Sequence, residues 1–315
     1  MYKKTLFIFF LIASLFGSIT NAEESVNYLL TAASKGDLET VNAILESGGN
    51  PNTKDEDGVT ALMYAARKNM DKIVSLLIKK GAAVNETENN GWTALMFAAK
   101  KNYVRSAQLL LDNGADPKIR DNDGWSAYGL AAISGFHDTV DLLIKHGIDP
   151  NNTNDAGQTV LMYAAKNGDI KTIETLLDHG ADPNIVDRYK CNPLMYAARE
   201  GNSDAVRLFI KRGVKVDYED QFNWTALTWA TKKNHFQAAK ILTESGANVD
   251  KKDSDGTPIV HYAVANKSKE MIQLFIDSHV NLKAKDRYGL TVLVYALKAK
   301  NTEIIDLIKN AGGSY

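Results

Sequence analysis

Six histidines (His137, His146, His179, His235, His261 and His279), one cysteine and a recurrent Asp-x-Asp-Gly segment are the side chains whose types could carry metal or nucleophilic chemistry in this 315-residue chain. His146 and His179 stand 33 positions apart, in the same slot of successive segments. If each segment adds one helix-packing step, the pair is separated by about 8–10 Å, too far for shared ligation at about 2 Å. They read as solvent-facing groups at helix ends, where the last turn favours them. Asp55-Glu56-Asp57-Gly58 and Asp253-Ser254-Asp255-Gly256 look like fragments of calcium loops, but each runs into the next helix without the acidic ligand a calcium loop needs at its twelfth position. They are expected as hairpin turns. The chain has no glycine-rich phosphate loop, G-x-S-x-G elbow, H-E-x-x-H or paired C-x-x-C. No catalytic residue, metal ligand or cofactor is therefore assigned, and the expectation is that the protein is not an enzyme. Cys191 has no partner within the chain, which leaves two readings open: a disulfide between molecules, or a buried, unreacted thiol. Asn85, Asn151, Asn223 and Asn266 match the glycosylation pattern, but chance matches are common in a chain rich in Lys and Asn.

A 33-residue unit recurs from near residue 27 to the C-terminus, and this organisation sets what those side chains can do. Its clearest copies begin Thr60-Ala61-Leu62-Met63-Tyr64-Ala65-Ala66, Thr93-Ala94-Leu95-Met96-Phe97-Ala98-Ala99 and Thr159-Val160-Leu161-Met162-Tyr163-Ala164-Ala165. The slot returns at Ser126, Asn192, Thr225, Pro258 and Thr291. Self-similarity at this period means stacked units that bury their apolar faces against neighbours, with function on an extended surface rather than in one enclosed pocket.

The elements follow from local chemistry. Thr60 can accept a backbone N–H bond as N-cap, and a short helix over Ala61–Lys68 turns Leu62, Ala65 and Ala66 inward. Asn69 suits a left-handed terminator, as do Gly36, Asn102, Gly135, Gly168, Gly201 and Asn234 in the same slot. A second helix from about Asp71 to Lys80 spaces Ile73, Val74, Leu77 and Ile78 along one face. An extended stretch with a turn such as Asp121-Asn122-Asp123-Gly124 then forms a hairpin finger. All six prolines fall in extended stretches or at helix starts, where they break nothing.

These motifs resemble the ankyrin repeat family: its Thr-Pro-Leu-His-x-Ala signature appears mostly as Thr-Ala-Leu-Met-Tyr-Ala, and Gly180-Ala181-Asp182-Pro183-Asn184 matches the loop after the second helix. The resemblance spans residues 25 to 315 and implies an all-α repeat solenoid of helix-turn-helix units with β-hairpin fingers, curved, and binding a protein through the fingers and the concave face. About nine units are expected over 23–315, the last truncated. The family's histidine survives only at His261, which puts local rigidity in doubt but not the fold. Gly129 inside a helix and His279 in a glycine slot mark the places where the stack is expected to be weakest.

At the N-terminus, Lys3 and Lys4 precede the apolar run Leu6–Phe16, and small residues lead to Ala22. The run is too short to span a bilayer, which takes about 20 residues; residues 1–22 read as a secretory signal peptide. Its removal leaves 35 basic against 38 acidic residues, a net charge of −3, which offers no footprint for nucleic acid or an anionic membrane. The expectation is a monomeric protein-binding scaffold in the periplasm or secreted, without a membrane span once the signal is gone. Its resemblance to bacterial ankyrin proteins leaves a second destination, an effector acting on host proteins; the signal favours the first. An enzyme or small-ligand binder is the competing class, disfavoured because ligand sites are normally enclosed.

Two surface features are candidate partner sites. The last turns of the first helices carry Arg67, Lys68, Lys100, Lys101, Lys166, Arg199, Lys232 and Lys233. Stacking would align them into a basic ridge for an acidic partner segment; the plainer reading is that they complement helix C-termini. Beside them the fingers carry Asp55, Glu56, Asp57, Glu88, Asp121, Asp123, Asp187, Asp220 and Asp253. Tyr189, Phe222 and Tyr288 share one finger slot and are candidate hot spots, whereas Trp92, Trp125 and Trp224 in another are expected to pack between fingers.

Overall fold

The computed structural model describes residues 20–315, with side chains from Tyr28 onward; residues 1–19, and with them most of the expected signal, lie outside the described residues. The described residues form 18 helices in nine pairs and two compact units, the first ending at Ile148 and the second starting at Asp149. Unit 1 holds α1 (Thr20–Lys35), α2 (Leu38–Glu46), α3 (Ala61–Arg67), α4 (Asp71–Lys79), α5 (Ala94–Ala99), α6 (Val104–Asp112), α7 (Ala127–Ile133) and α8 (His137–Lys145). Unit 2 holds α9 (Val160–Asn167), α10 (Ile170–Asp178), α11 (Pro193–Glu200), α12 (Ser203–Lys211), α13 (Ala226–Lys232), α14 (Phe236–Glu244), α15 (Ile259–Ala265), α16 (Lys269–Asp277), α17 (Val292–Lys298) and α18 (Thr302–Asn310). Within each unit, first helices pack on first helices and second on second.

Short helices need their ends satisfied, and the sequence supplies the partners. Thr60, Thr93 and Thr159 sit in extended backbone and accept the N–H of Met63, Met96 and Met162 through their hydroxyls; Asn192 does the same for Met195 at 3.0 Å. The inward faces are dry: Leu62, Ala65, Ala66, Leu161, Ala164, Ala197 and Leu227 are almost wholly buried. Each buried leucine contributes about 1.5–3 kcal/mol, and the alanines let adjacent first helices approach. The first helices end in left-handed residues as expected at Asn69 and Gly168, and also at Lys267 and Lys300, which the glycine-or-asparagine slot did not suggest. The last repeat keeps both of its helices and ends soon after them.

The fingers are held differently from the expected hairpins. Among the described residues no extended ladder forms; single antiparallel bridges such as Arg120–Ser126, Thr153–Thr159 and Lys285–Thr291 close them. The closing force is an aspartate. Asp121 accepts the N–H groups of Asp123 and Trp125 at 3.1 and 2.7 Å. Glu88 does the same for Asn90 and Trp92, both at 2.9 Å. Successive repeats are stapled by asparagines: Asn85 Oδ1 accepts from the Asp116 N–H at 2.7 Å while its amide donates to the Gly114 carbonyl, and Asn151 joins Asp182 and Gly180 in the same way. Asn266 donates to the carbonyls of Thr231 and Lys232. Three of the four glycosylation matches are thus structural amides.

Gly129 has a structural reason. A Cβ there would lie 2.9 Å from the Trp125 ring, so the missing side chain is what lets that indole lie against α7. His279 takes the left-handed backbone its slot requires, with φ of 61°.

Candidate functional site

The site is built from three positions that recur through most repeats and were not grouped by sequence reading. An aromatic side chain recurs in the first helices at Tyr64, Phe97, Tyr163, Tyr196, Trp229, Tyr262 and Tyr295. Nine residues earlier stands a finger aspartate (Glu88 before Phe97, Asn154 before Tyr163), and aspartate and aromatic meet where the ring bears a polar hydrogen. Tyr64 donates to Asp55 at 2.8 Å, Tyr196 to Asp187 at 2.6 Å, Trp229 Nε1 to Asp220 at 3.0 Å and Tyr295 to Asp286 at 2.5 Å, with Tyr262 donating to Asp253 likewise. Three residues after the aromatic most repeats carry a cation; the helix turn brings Arg67, Arg199 and Lys298 back over their own ring, whereas Lys232 reaches Trp224 and Tyr262. The Arg67 guanidinium lies 4.9 Å from the Tyr64 ring centre and 5.7 Å from that of Phe97; Arg199 lies 4.8 Å from Tyr196 and 5.3 Å from Trp229. The Lys232 ammonium lies 4.2 Å from Tyr262 and 5.7 Å from Trp224, and that of Lys298 5.7 Å from Tyr295. Each such contact contributes about 0.5–2 kcal/mol, according to how far water is excluded.

These contacts bear on three expectations. Of the finger acids, Glu88, Asp121, Asp187, Asp220 and Asp253 are buried, held by finger amides and helix aromatics, while Glu56, Asp57 and Asp123 stay exposed. The cations are not simply helix-end complements, since Arg67, Arg199 and Lys232 rest on aromatic rings, as does Lys298 in the last repeat. The tryptophans pack mainly on first-helix aromatics rather than between fingers: Trp92 lies 5.1 Å from Phe97, and Trp224 lies 4.6 Å from Trp229 and 5.8 Å from Tyr262.

In unit 2 these parts enclose a groove of about 470 Å³. Its floor is a polar chain: Gln158 donates to the Tyr196 hydroxyl at 2.7 Å, Tyr196 donates to Asp187, and Asp220 receives Trp229. Burial, reinforced by Asp187, pushes the Tyr196 phenol well above its ordinary pKa, so it stays a donor. Burial also pushes the Cys191 thiol up to about 12, with Asp187 and Asp220 adding to the shift; its sulfur lies 3.8 Å from Asp220 and the residue is 6 % exposed. Of the two readings for Cys191, the structure takes the buried thiol. At the mouth stand Lys166, Arg199, Tyr189 and Phe222, the last two 51 % and 48 % exposed.

Four expected site residues therefore converge. Lys232 lies on the neighbouring aromatics, Lys233 is exposed beyond it, and Tyr288, 73 % exposed, stands outside the groove. Arg67, Lys68, Lys100 and Lys101 belong to unit 1, where Lys100 donates to the Ser134 hydroxyl at 3.1 Å. The repeating aromatic with a cation three residues later was visible in the sequence, and would have found Arg199 and Lys232 as ring-bound groups.

Among the described residues no cluster of three or more His, Cys, Asp or Glu is placed to hold a metal, and no helix is long and apolar enough to cross a membrane. His137 and His146 lie near Asp138 and Asp112, at 3.4 and 3.9 Å. His261 is buried, with one ring nitrogen 3.3 Å from the Leu290 carbonyl and Nδ1 without a partner.

Paired helices stacked in register, with fingers beside the first-helix ends, define a repeat scaffold that presents a preformed surface. A family model for ankyrin repeats matches residues 29–121, 106–187, 180–253 and 245–314, and the chain belongs to the ankyrin repeat family. Such repeats are generally protein–protein interaction modules. The structure is similar to the crystal structure of the human ASB11 ankyrin repeat domain, with a TM-score of 0.64 at 22% identity over 71% of this chain and all of that one; at this identity the likeness concerns the fold. No curated protein matches the sequence.

Proposed function

We propose that this protein is an exported, non-enzymatic scaffold that binds a protein partner through the unit 2 groove and its fingers, acting in the periplasm or after secretion. The observation that carries the binding reading is the convergence of Tyr189 and Phe222 with Lys166 and Arg199 on one groove, because half-exposed aromatics beside cations are what interface hot spots use. Rigid presentation keeps the ordering entropy of binding low. Export is supported by Lys3 and Lys4 before the apolar run Leu6–Phe16 and the small residues up to Ala22.

In-cell crosslinking of the full chain, read by mass spectrometry, tests the binding face. The variant carrying Tyr189→Ala and Phe222→Ala is expected to lose the dominant partner while keeping the helical circular dichroism of the wild type. Retention of that partner would move binding off the groove. Cell fractionation with N-terminal sequencing tests export: a mature end at Glu23 outside the cytoplasm is expected, and an intact Met1 in the cytoplasm would overturn it.

A further inference from the structure

We infer that the occupant of the unit 2 groove is an extended protein segment in which a large apolar side chain is flanked by carboxylates. This rests on the groove being the binding face. The charge balance at its mouth points that way. Asp187 and Asp220 lie in the floor with their oxygens engaged: Asp187 by the N–H groups of Tyr189 and Cys191 and the Tyr196 hydroxyl, Asp220 by the N–H groups of Phe222 and Trp224, the Trp229 indole and the Cys191 thiol. The cations are not answered in the same way. The exposed ammonium of Lys166 has no ion pair among the described residues. Arg199 meets Glu200 only through Nε, at 3.2 Å, which leaves both terminal nitrogens directed to no acid. The guanidinium carbon lies within reach of both the Tyr196 and Trp229 rings, which holds the group at the mouth, and a held fork suits a carboxylate.

The apolar half of the occupant follows from the fingers. Tyr189 and Phe222 are held in a row because the Gln221 N–H donates to the Tyr189 carbonyl at 3.0 Å and the Ser254 N–H to the Phe222 carbonyl at 2.9 Å. Each is followed by a non-glycine residue in left-handed backbone, Lys190 with φ of 61° and Asn223 with φ of 57°, where the fingers at Gly157, Gly256 and Gly289 use glycine. Two adjacent fingers that each present a bare aromatic are the pattern expected of a binding surface. A cationic occupant fits badly, because Lys166 and Arg199 stand at the mouth and would repel it.

The test selects a random 12-residue peptide library on the full wild-type chain, with the variant carrying Tyr189→Ala and Phe222→Ala as counter-target. The expected result is a consensus with a Trp, Phe or Leu next to Asp or Glu, enriched on wild type alone. A synthetic consensus peptide should then lose affinity on the order of tenfold for Arg199→Gln, and again when its acids become amides. A groove-dependent consensus that is neutral or basic overturns this inference and leaves the groove as the binding face. Enrichment that is equal on the counter-target overturns both. No enrichment, or enrichment that a single-stranded RNA competes away while Asp- and Glu-containing peptides do not, overturns the acidic-peptide assignment.

Discussion

Unit 1 and unit 2 place different residues on the same finger position. In unit 1 the tips carry Asp57, Asn90 and Asp123, each followed by a glycine in left-handed backbone. In unit 2 the position holds Ala156, Tyr189, Phe222, Asp255 and Tyr288, and behind Tyr189 and Phe222 the glycine is gone. The cations beneath are alike: Arg67 is held between Tyr64 and Phe97 much as Arg199 is between Tyr196 and Trp229. One frame thus sets polar tips, two of three acidic, beside cations in the first unit, and in the second sets the aromatic tips Tyr189 and Phe222 beside Lys166 and Arg199. Acids at the tips repel an acidic partner that the cations attract; aromatics leave that attraction unopposed and add apolar area.

The largest expected effect bears on the locks under the two kinds of finger. Asp220→Ala strips the acceptor from two amides, an indole and a thiol in a site only 3 % exposed, and is expected to destabilise unit 2 by about 3 kcal/mol. Asp55→Ala in unit 1 removes a half-buried lock that water can partly replace, and should cost about 1–2 kcal/mol. Urea titration of both variants decides, and equal losses would mean that the two units depend on their finger locks to the same degree.

Acid separates the units next. Burial holds the pKa of His261 below its ordinary 6.5, although Asp286 and the Leu290 carbonyl oppose the shift. The unfolded chain then binds the proton more readily than the folded one, so stability conferred by neutral His261 is present above pH 6.5 and is lost as pH falls below it. Hydrogen exchange between pH 7 and 5 should show protection falling around α15 and α17 in wild type and holding in His261→Met, which takes the residue used in that slot at Met162 and Met195. An unchanged profile in the variant would put the acid response elsewhere.

A smaller gain is available at the same repeat. Where most other first helices are capped by a Thr, Ser or Asn side chain, Pro258 offers neither a side-chain cap nor an N–H, and the nearby His261 Nδ1 has no partner. Pro258→Thr should restore the cap and raise stability by about 1 kcal/mol, visible as a higher Tm; no change would show that the cap does not form there. The smallest effect belongs to the fingers: Lys190→Gly should relieve left-handed strain by about 0.5 kcal/mol or less once the greater freedom of glycine in the unfolded chain is offset. A loss of stability instead would show that the lysine side chain has a structural role.

Several of these positions were legible in the sequence. The caps at Thr60 and Asn192, the left-handed Asn69 and the buried Leu62 and Ala65 follow from period and residue type alone. So did the exposure of Tyr189 and Phe222, because nothing in their slot called for an apolar neighbour. The burial of the finger acids was not legible: Asp187 and Asp220 look like surface charges in a turn motif, and only the folded chain shows a phenol and an indole arriving from nine residues away to bury them.

The sequence by itself determined the repeat, its helix ends and its family, because these depend on contacts within a few residues or on a pattern copied every 33. The tertiary structure decided which charges remain for a partner. Lys166 and Asp220 look equally available along the chain, but packing hands the carboxylate four donors and leaves the ammonium unpaired, and no local pattern records which donors a fold will bring to a given acid.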